Sequence, residues 1–226
     1  MMQTKIAVGV LAFVLGACAH QGQVSDQQFA RVPSREMAEV DQARADLSKA
    51  QDEVGRRDLA ITSAEREISV AKDDVRVADA ELRRTETMMN KADFDRSASG
   101  QRESHQDASL FRAQKEAAEA HLKAANSAAK LSKAQKQEAE AERDLATAQV
   151  ESRQYDALVK TGDPSIKDTN ANTVKKNMDE ARSRVQAAKG HVATAKSTAD
   201  LDRMVWDASK SQSDSRRGKG GAGDAR

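Results

Sequence analysis

The sequence predicts an all-α protein: a long antiparallel coiled coil, or up-down-up three-helix bundle, with a disordered N-terminal tether and C-terminal tail. Charged residues make up 32% of the 226 residues and aromatic residues only 3%, so few large side chains are available to fill a globular core. Apolar residues recur instead with heptad spacing over three long segments. The two prolines, Pro33 and Pro164, both fall between these segments, where they do not interrupt a helix.

The first helix is predicted at residues 35–96, with Ser34 as its N-cap. A column of large apolar residues is followed, three positions later, by a column of mostly alanine over about eight heptads, which predicts a closely packed a/d seam. Arg57 is the exception in that seam. The two columns are Val40, Leu47, Val54, Ile61, Ile68, Val75, Leu82 and Met89, and then Ala43, Ala50, Arg57, Ala64, Ala71, Ala78, Thr85 and Ala92.

The second helix is predicted at residues 104–160, after a break at 97–104 that contains Gly100. Ser104 and Asp107 resemble a capping box at its start, and Gly162 is a C-terminal signal. A second alanine row widens its apolar face, as expected of a helix that contacts two neighbours. The seam is Leu110, Ala113, Ala117, Ala120, Ala124, Leu131, Ala134, Ala141, Leu145, Ala148, Tyr155 and Val159, with Glu138 as an exception, and the added row is Ala118, Ala125, Ala139 and Ala146.

The third helix is predicted at residues 168–208, so that the helical body spans 34–208. Asp202 occupies a seam position, which predicts fraying there, and Trp206 is interpreted as an apolar plug of the seam. The remaining seam residues are Ala171, Val174, Met178, Ala181, Val185, Ala188, Val192, Ala195 and Ala199. Residues 209–226 are basic and rich in Gly and Ser, which predicts a disordered tail.

Charged columns beside these seams predict that the first and third helices lie side by side and parallel. An acidic g column facing a basic e column favours parallel partners. Solvated faces that do not pair, and pairing between chains, are the alternatives. The acidic column is Glu39, Asp46, Glu53, Ala60, Glu67, Asp74 and Glu81, in which Ala60 is the exception, and the basic column is Lys175, Arg182, Lys189, Lys196 and Arg203.

The N-terminus has the pattern of an export signal. Lys5 precedes the apolar run 6–15, which is too short to span a bilayer comfortably because a spanning helix needs about 20 residues. Leu15-Gly16-Ala17-Cys18 resembles the lipobox of bacterial lipoprotein precursors. The resemblance implies that residues 1–17 are a signal peptide with Leu15, Gly16 and Ala17 recognised by the signal peptidase. It also implies that Cys18 receives diacylglycerol and that residues 18–33 tether the body to the membrane.

Cys18 is the only cysteine, so an exported chain would carry an unpaired thiol unless it were lipidated. The alternative is a soluble secreted protein cleaved at Gly16-Ala17. Because Ala19 rather than Asp follows the cysteine, the resemblance implies an outer-membrane lipoprotein that faces the periplasm. In a Gram-positive source the protein would instead lie on the outer face of the cell membrane.

No residue pattern predicts catalysis, a metal site or a cofactor other than the lipid on Cys18. The four histidines, His20, His105, His121 and His191, lack ligand spacing, and the three in the helices are expected on helix surfaces. Residues 218–221 are Gly-rich but lack the strand and helix of a phosphate-binding loop. Removal of residues 1–17 takes away one base, Lys5, and leaves 36 of each charge, a balance that argues against a nucleic-acid partner.

These observations predict a non-catalytic, lipid-anchored coiled-coil protein of the cell envelope that acts as spacer, scaffold or accessory subunit. Murein-type lipoproteins are similar in being small anchored coiled coils, but they end in a lysine that joins peptidoglycan, whereas this chain ends in Arg226. The partners left open are the membrane, a second copy, an envelope protein, and peptidoglycan bound non-covalently. The alternative function is a helical-hairpin binding module or adaptor for an envelope channel or a secretion or efflux complex.

Overall fold

The computed structural model describes residues 32–95, 98–162, 166 and 170–220. These residues form three helices, α1 (Ser34–Phe94), α2 (Ala98–Thr161) and α3 (Ala171–Gly220), and no strand occurs in this part of the chain. The all-α three-helix bundle that the sequence predicts is therefore confirmed. The predicted signal peptide, the lipobox-like residues 15–18 and most of the predicted tether fall outside the described residues.

The helices run up, down and up. Glu39 near the start of α1 pairs with Arg153 near the end of α2, and Asp79 pairs with Lys115, so these two helices are antiparallel. On the other side of α2, Glu142 pairs with Lys189 and Lys123 with Asp202, so α3 is antiparallel to α2 as well. At 1.5 Å per residue, the 61 residues of α1 extend over roughly 90 Å.

The a/d seam of α1 has the register that the heptads predict. Every residue of its two columns is buried or partly buried, whereas Leu59 and Val70, which lie off the seam, are exposed. Arg57 is accommodated because its guanidinium pairs with Glu53 at 2.7 Å and donates a hydrogen bond to Gln135 of α2. The narrow apolar stripe is thus the part of α1 that packs on the bundle.

The widened face of α2 is confirmed, because α2 packs along both α1 and α3 and the four residues of its added alanine row are buried. The seam prediction is wrong at the end of this helix. Val159 is 51% exposed, and its neighbour Leu158 is fully buried against Val40 of α1. Adjacent residues lie about 100° apart around a helix, so only one of the two can face α1.

The predicted starts of α1 and α2 need correction. Pro33 takes the N-cap position of α1, and Ser34 is already helical. Helix α2 begins six residues earlier than predicted, at Ala98, so Ser104 is not a cap. Its hydroxyl donates to the carbonyl of Gly100 one turn back. Gly100 costs a helix only about 1 kcal/mol relative to alanine, so it does not by itself end a helix of 64 residues.

The connection between α2 and α3 follows from local turn chemistry. Gly162 ends α2 as predicted, with φ of 65°, a left-handed conformation that glycine adopts without strain. Helix α3 begins at Ala171, where the side chain of Asn170 accepts a hydrogen bond from the backbone N–H of Asn172. Between them, Ile166 packs against the cluster of Val40 and Leu158 and closes this end of the bundle.

Helix α3 begins at Ala171, three residues after its predicted start at 168, and continues past its predicted end at 208. It does not fray at Asp202, and residues 209–220, expected within a disordered tail, are helical. The reason lies in contacts with α2: Ser213 is buried one heptad after Trp206, and Arg216 donates to the backbone carbonyl of Ser109 at 2.9 Å. Residues 221–226 of the predicted tail lie outside the described residues.

Candidate interaction groove

An open groove runs along α2 between α1 and α3. Both outer helices pack along α2 but not along each other. The side-by-side contact of the first and third helices that the charge columns predict is therefore wrong within the chain. The physical reason is that the apolar face of α2 is two-sided, so α1 and α3 each pack on a different side of it.

The walls of this groove carry opposite charge. Three sections of about 610, 350 and 470 Å³ follow one another from the end nearest residue 34. Residues of all three helices line each section. Acids of α1 lie on one side and bases of α3 on the other, with Asp200 of α3 as an exception in the second section. The facing wall residues are Asp46 and Arg182 in the first section, Glu67 and Arg203 in the second, and Asp74 and Glu81 with Lys210 and Arg217 in the third.

No ion pair joins these two columns among the described residues. Five of the six acids in the α1 column contact side chains of α1 or α2 instead, and Glu81 is the exception. Glu39 pairs with Arg153 at 3.0 Å. Asp46 bonds to Lys49 of its own helix at 3.0 Å, and this hydrogen bond, with a second from Gln42, lowers the pKa of Asp46. These two bonds therefore favour the carboxylate form of Asp46.

The basic wall is longer than the sequence prediction made it. Lys210 and Arg217 continue the heptad spacing of the column into the region expected to be disordered. Among the described residues, Lys196 and Arg217 have no ion-pair partner within 4.0 Å, whereas Lys189 reaches Glu142 of α2 at 3.8 Å. Extending the heptad register past residue 208 would have predicted that Lys210 and Arg217 belong to the basic wall.

The three helices meet at an aromatic contact in the middle of the groove. The ring of His121 on α2 stacks on Trp206 of α3, with centroids 4.3 Å apart and planes 16° from parallel. The same imidazole also bonds to two carboxylates of α1, with Nε2 3.0 Å from Glu67 and Nδ1 3.3 Å from Asp74. His121 thus connects the acidic wall to the basic one.

Cations of the basic wall complete this contact. The guanidinium carbon of Arg203 lies 4.8 Å from the centroid of the Trp206 ring, and the ammonium of Lys210 lies 6.0 Å from it. Trp206 is partly buried at a seam position, as predicted, and it lines both the second and third sections of the groove. His121 was expected on a free helix surface, but its side chain is only 12% exposed, because its contacts come from two other helices.

The His121 cluster does not have the geometry of a metal site. Its two nitrogens bond to two different carboxylates, Glu67 and Asp74, so the three side chains do not converge on one point. No group of three His, Cys, Asp or Glu side chains in the described ranges is arranged to hold a metal ion.

Asp202 is a buried polar contact between α2 and α3. It is 8% exposed, accepts a hydrogen bond from the hydroxyl of Ser127, and pairs with Lys123 at 3.0 Å. The bond from Ser127, followed by that from Lys123, lowers the pKa of Asp202. A charged residue in a seam is tolerated only where it is satisfied in this way, so this contact favours one register of α3 on α2.

Ion pairs on the far side of α1 fix its register on α2. Lys115 and Asp79 are 2.7 Å apart, and their hydrogen bond lowers the pKa of Asp79 and raises that of Lys115. Lys136 and Asp58 are also 2.7 Å apart, and the hydrogen bond to Asp58 raises the pKa of Lys136. Such pairs contribute little stability each but define which turns face one another.

The predicted lipid-attachment residue Cys18 and the recognition residues Leu15, Gly16 and Ala17 lie outside the described residues, so the structure neither brings them together nor separates them. Within the described ranges, none of the helices has an apolar stretch sufficient to cross a bilayer. No protein-family profile, curated protein or solved structure matches the chain.

Proposed function

We propose that this protein is a lipid-anchored rod of the cell envelope, a non-catalytic spacer or scaffold held to the membrane through Cys18. The observation that carries the proposal is the continuous antiparallel packing of α1 and α2, whose 61 and 64 residues form a rod roughly 90 Å long. A rod of this length projects far beyond a membrane surface while exposing mainly charged side chains.

The lipobox supports the anchor. Cleavage before Cys18 would leave the tether 18–33, and α1 would begin at Ser34 and lead away from the membrane. Two or three acyl chains on one cysteine give stable attachment, since each buried methylene contributes about 0.8 kcal/mol. Ala19 after the cysteine supports outer-membrane sorting, with the rod in the periplasm.

Metabolic labelling tests the anchor. We expect the protein to incorporate labelled palmitate, and Cys18→Ser to abolish both the label and membrane association. A matched control is Ala19→Ser, which changes the neighbouring residue and should leave labelling intact. A mature N-terminus upstream of Cys18 would contradict the proposal.

A pair of length variants tests the spacer role. Removing two heptads from each helix, residues 51–64, 130–143 and 185–198, preserves the seams and the facing register and shortens the rod by about 21 Å. The matched control keeps the length and replaces the surface residues of the same ranges. We expect only the shortened protein to fail to restore the envelope width and detergent resistance of a strain that lacks the protein. Failure of the surface variant alone would indicate specific binding instead.

One observation favours a second candidate, the hairpin adaptor. Phe94 lies at the turn between α1 and α2, at the end of the rod far from Ser34, and it is 87% exposed. An exposed aromatic at a hairpin tip is suited to insertion into a partner. Phe94→Ser with Leu59→Ser as the matched exposed control, followed by crosslinking in cells, tests it: loss of a crosslinked partner with Phe94→Ser alone supports the adaptor.

A further inference from the structure

The two walls of the groove between α1 and α3 carry complementary charge that does not pair across the groove. In its first section Asp46 faces Arg182, and in its third section Glu81 faces Arg217, with α2 between them in both cases. Neither Arg217 nor Lys196 has an ion-pair partner within 4.0 Å in the described part of the chain. Asp46 and Arg182 pair with exposed neighbours of their own helices, Lys49 at 3.0 Å and Asp179 at 3.6 Å, so a partner that presents bases to α1 and acids to α3 complements both walls.

The groove also has apolar surface to cover. Alanines of α2 form its floor, Val77 on the α1 wall is 54% exposed, and Trp206 lines two adjoining sections. A partly buried tryptophan that lines an open groove among small apolar residues is the type of feature that anchors protein interfaces. A partner that contacted only the charged walls would leave these apolar side chains exposed to water. The partner is therefore expected to be apolar between its charged flanks.

A second copy of the same groove meets both requirements. When two copies face each other across a two-fold axis parallel to the helices, α1 of each copy lies opposite α3 of the other. The acidic wall then meets a basic wall on both sides, and the alanine floors and tryptophans face inward. A two-fold interface is self-complementary in this sense, and pairs are the most common assembly of soluble proteins.

We propose that two copies of this chain associate face to face through this groove as a parallel, two-fold symmetric dimer. Rotation about an axis parallel to the helices does not shift residues along the rod. Asp46 therefore meets Arg182 of the partner subunit, and Glu81 meets Arg217 of the partner subunit. The acidic and basic columns then pair in the parallel sense that such columns favour, but between chains instead of within one. The inference does not depend on the lipid anchor.

Two complementary charge variants test the dimer in the full-length chain, purified in detergent with Cys18→Ser so that neither lipid nor a disulfide can join two copies. The acid-wall variant is Asp46→Lys with Glu81→Lys, and the base-wall variant is Arg182→Glu with Arg217→Glu. Each variant alone places like charges across the interface and should raise the dissociation constant, measured by analytical ultracentrifugation, by at least about tenfold. An equimolar mixture of the two should dimerise again, because each wall then meets the opposite charge.

The control is Asp52→Lys with Asp73→Lys, which makes the same change of charge on exposed positions of α1 that do not line the groove. It should dimerise like the unchanged protein, and raising the salt concentration should weaken all dimers. A monomeric unchanged protein, equal loss in the control, or a mixture that stays monomeric would each overturn the proposal. Restored thermal stability in a chain carrying all four substitutions, with no dimer, would instead show that the groove closes within one chain.

Discussion

Leu158→Ala gives the clearest test of how α1 and α2 pack. Leu158 is fully buried against Val40 and Ala157. Replacing a fully buried leucine with alanine removes its transfer free energy and leaves a cavity, which together cost about 2–5 kcal/mol. The helices around this site close one end of the bundle, so they relax little to fill the space. We therefore expect the free energy of unfolding to fall by about 3 kcal/mol.

Urea unfolding followed by far-ultraviolet circular dichroism measures this change, with the midpoint expected to fall at a constant slope. Leu59→Ala is the matched control: the same chemical change at a side chain that is 72% exposed should alter stability by less than about 0.5 kcal/mol. Val159→Ala tests the seam directly, because the heptad pattern alone assigns that residue to the interface. The packing reasoning fails if Leu158→Ala and Leu59→Ala have equal effects, or if Val159→Ala is the more damaging of the two neighbouring changes.

Three further changes test the polar and backbone contacts. The hydrogen bonds to Asp202 lower its pKa, so its contribution to stability is present above the unfolded pKa of about 3.9 and is lost as the pH falls through the lower folded value. Asp202→Asn should therefore lower the melting temperature at pH 7 by more than at pH 3. Equal losses of melting temperature at the two pH values would contradict this. His121→Ala removes the stack on Trp206, which should cost about 0.5–1.5 kcal/mol and shift the fluorescence of this single tryptophan to longer wavelength. Gly162→Ala forces alanine to a φ of 65° and should destabilise by about 1–2 kcal/mol, whereas Gly190→Ala, in open space within α3, should be neutral or stabilising by thermal unfolding.

Sequence-based predictions were correct for features that depend on the residues of a single helix. The seam of α1 follows from spacing alone, because a strict heptad repeat can bury only one stripe of a helix. The end of α2 at Gly162 follows as well, since the left-handed conformation there is a property of glycine itself. The wide alanine face of α2 correctly predicted that this helix has two neighbours.

The same rules failed where the outcome depended on a neighbour. Asp202 interrupts the apolar seam of the sequence, but its carboxylate accepts a hydrogen bond from Ser127 and pairs with Lys123 of α2, so α3 continues through it. Gly100 resembles a helix stop, but α2 begins before it, at Ala98, and is helical through it. His121 has no signal in its own sequence neighbourhood, because its partners lie on two other helices.

The sequence by itself determined that this protein is helical, where its seams run, and that its charges form columns, because these properties depend only on spacing along the chain. The tertiary structure alone decided what the columns face. Both outer helices pack on α2, so Asp46 and Arg182 lie on opposite walls of one groove without pairing across it. Periodicity specifies the face that each helix buries. It does not specify which other helix covers that face, because the apolar faces of the three helices are similar in character. That choice depends on how closely two helices can approach, which the small alanine side chains of α2 determine.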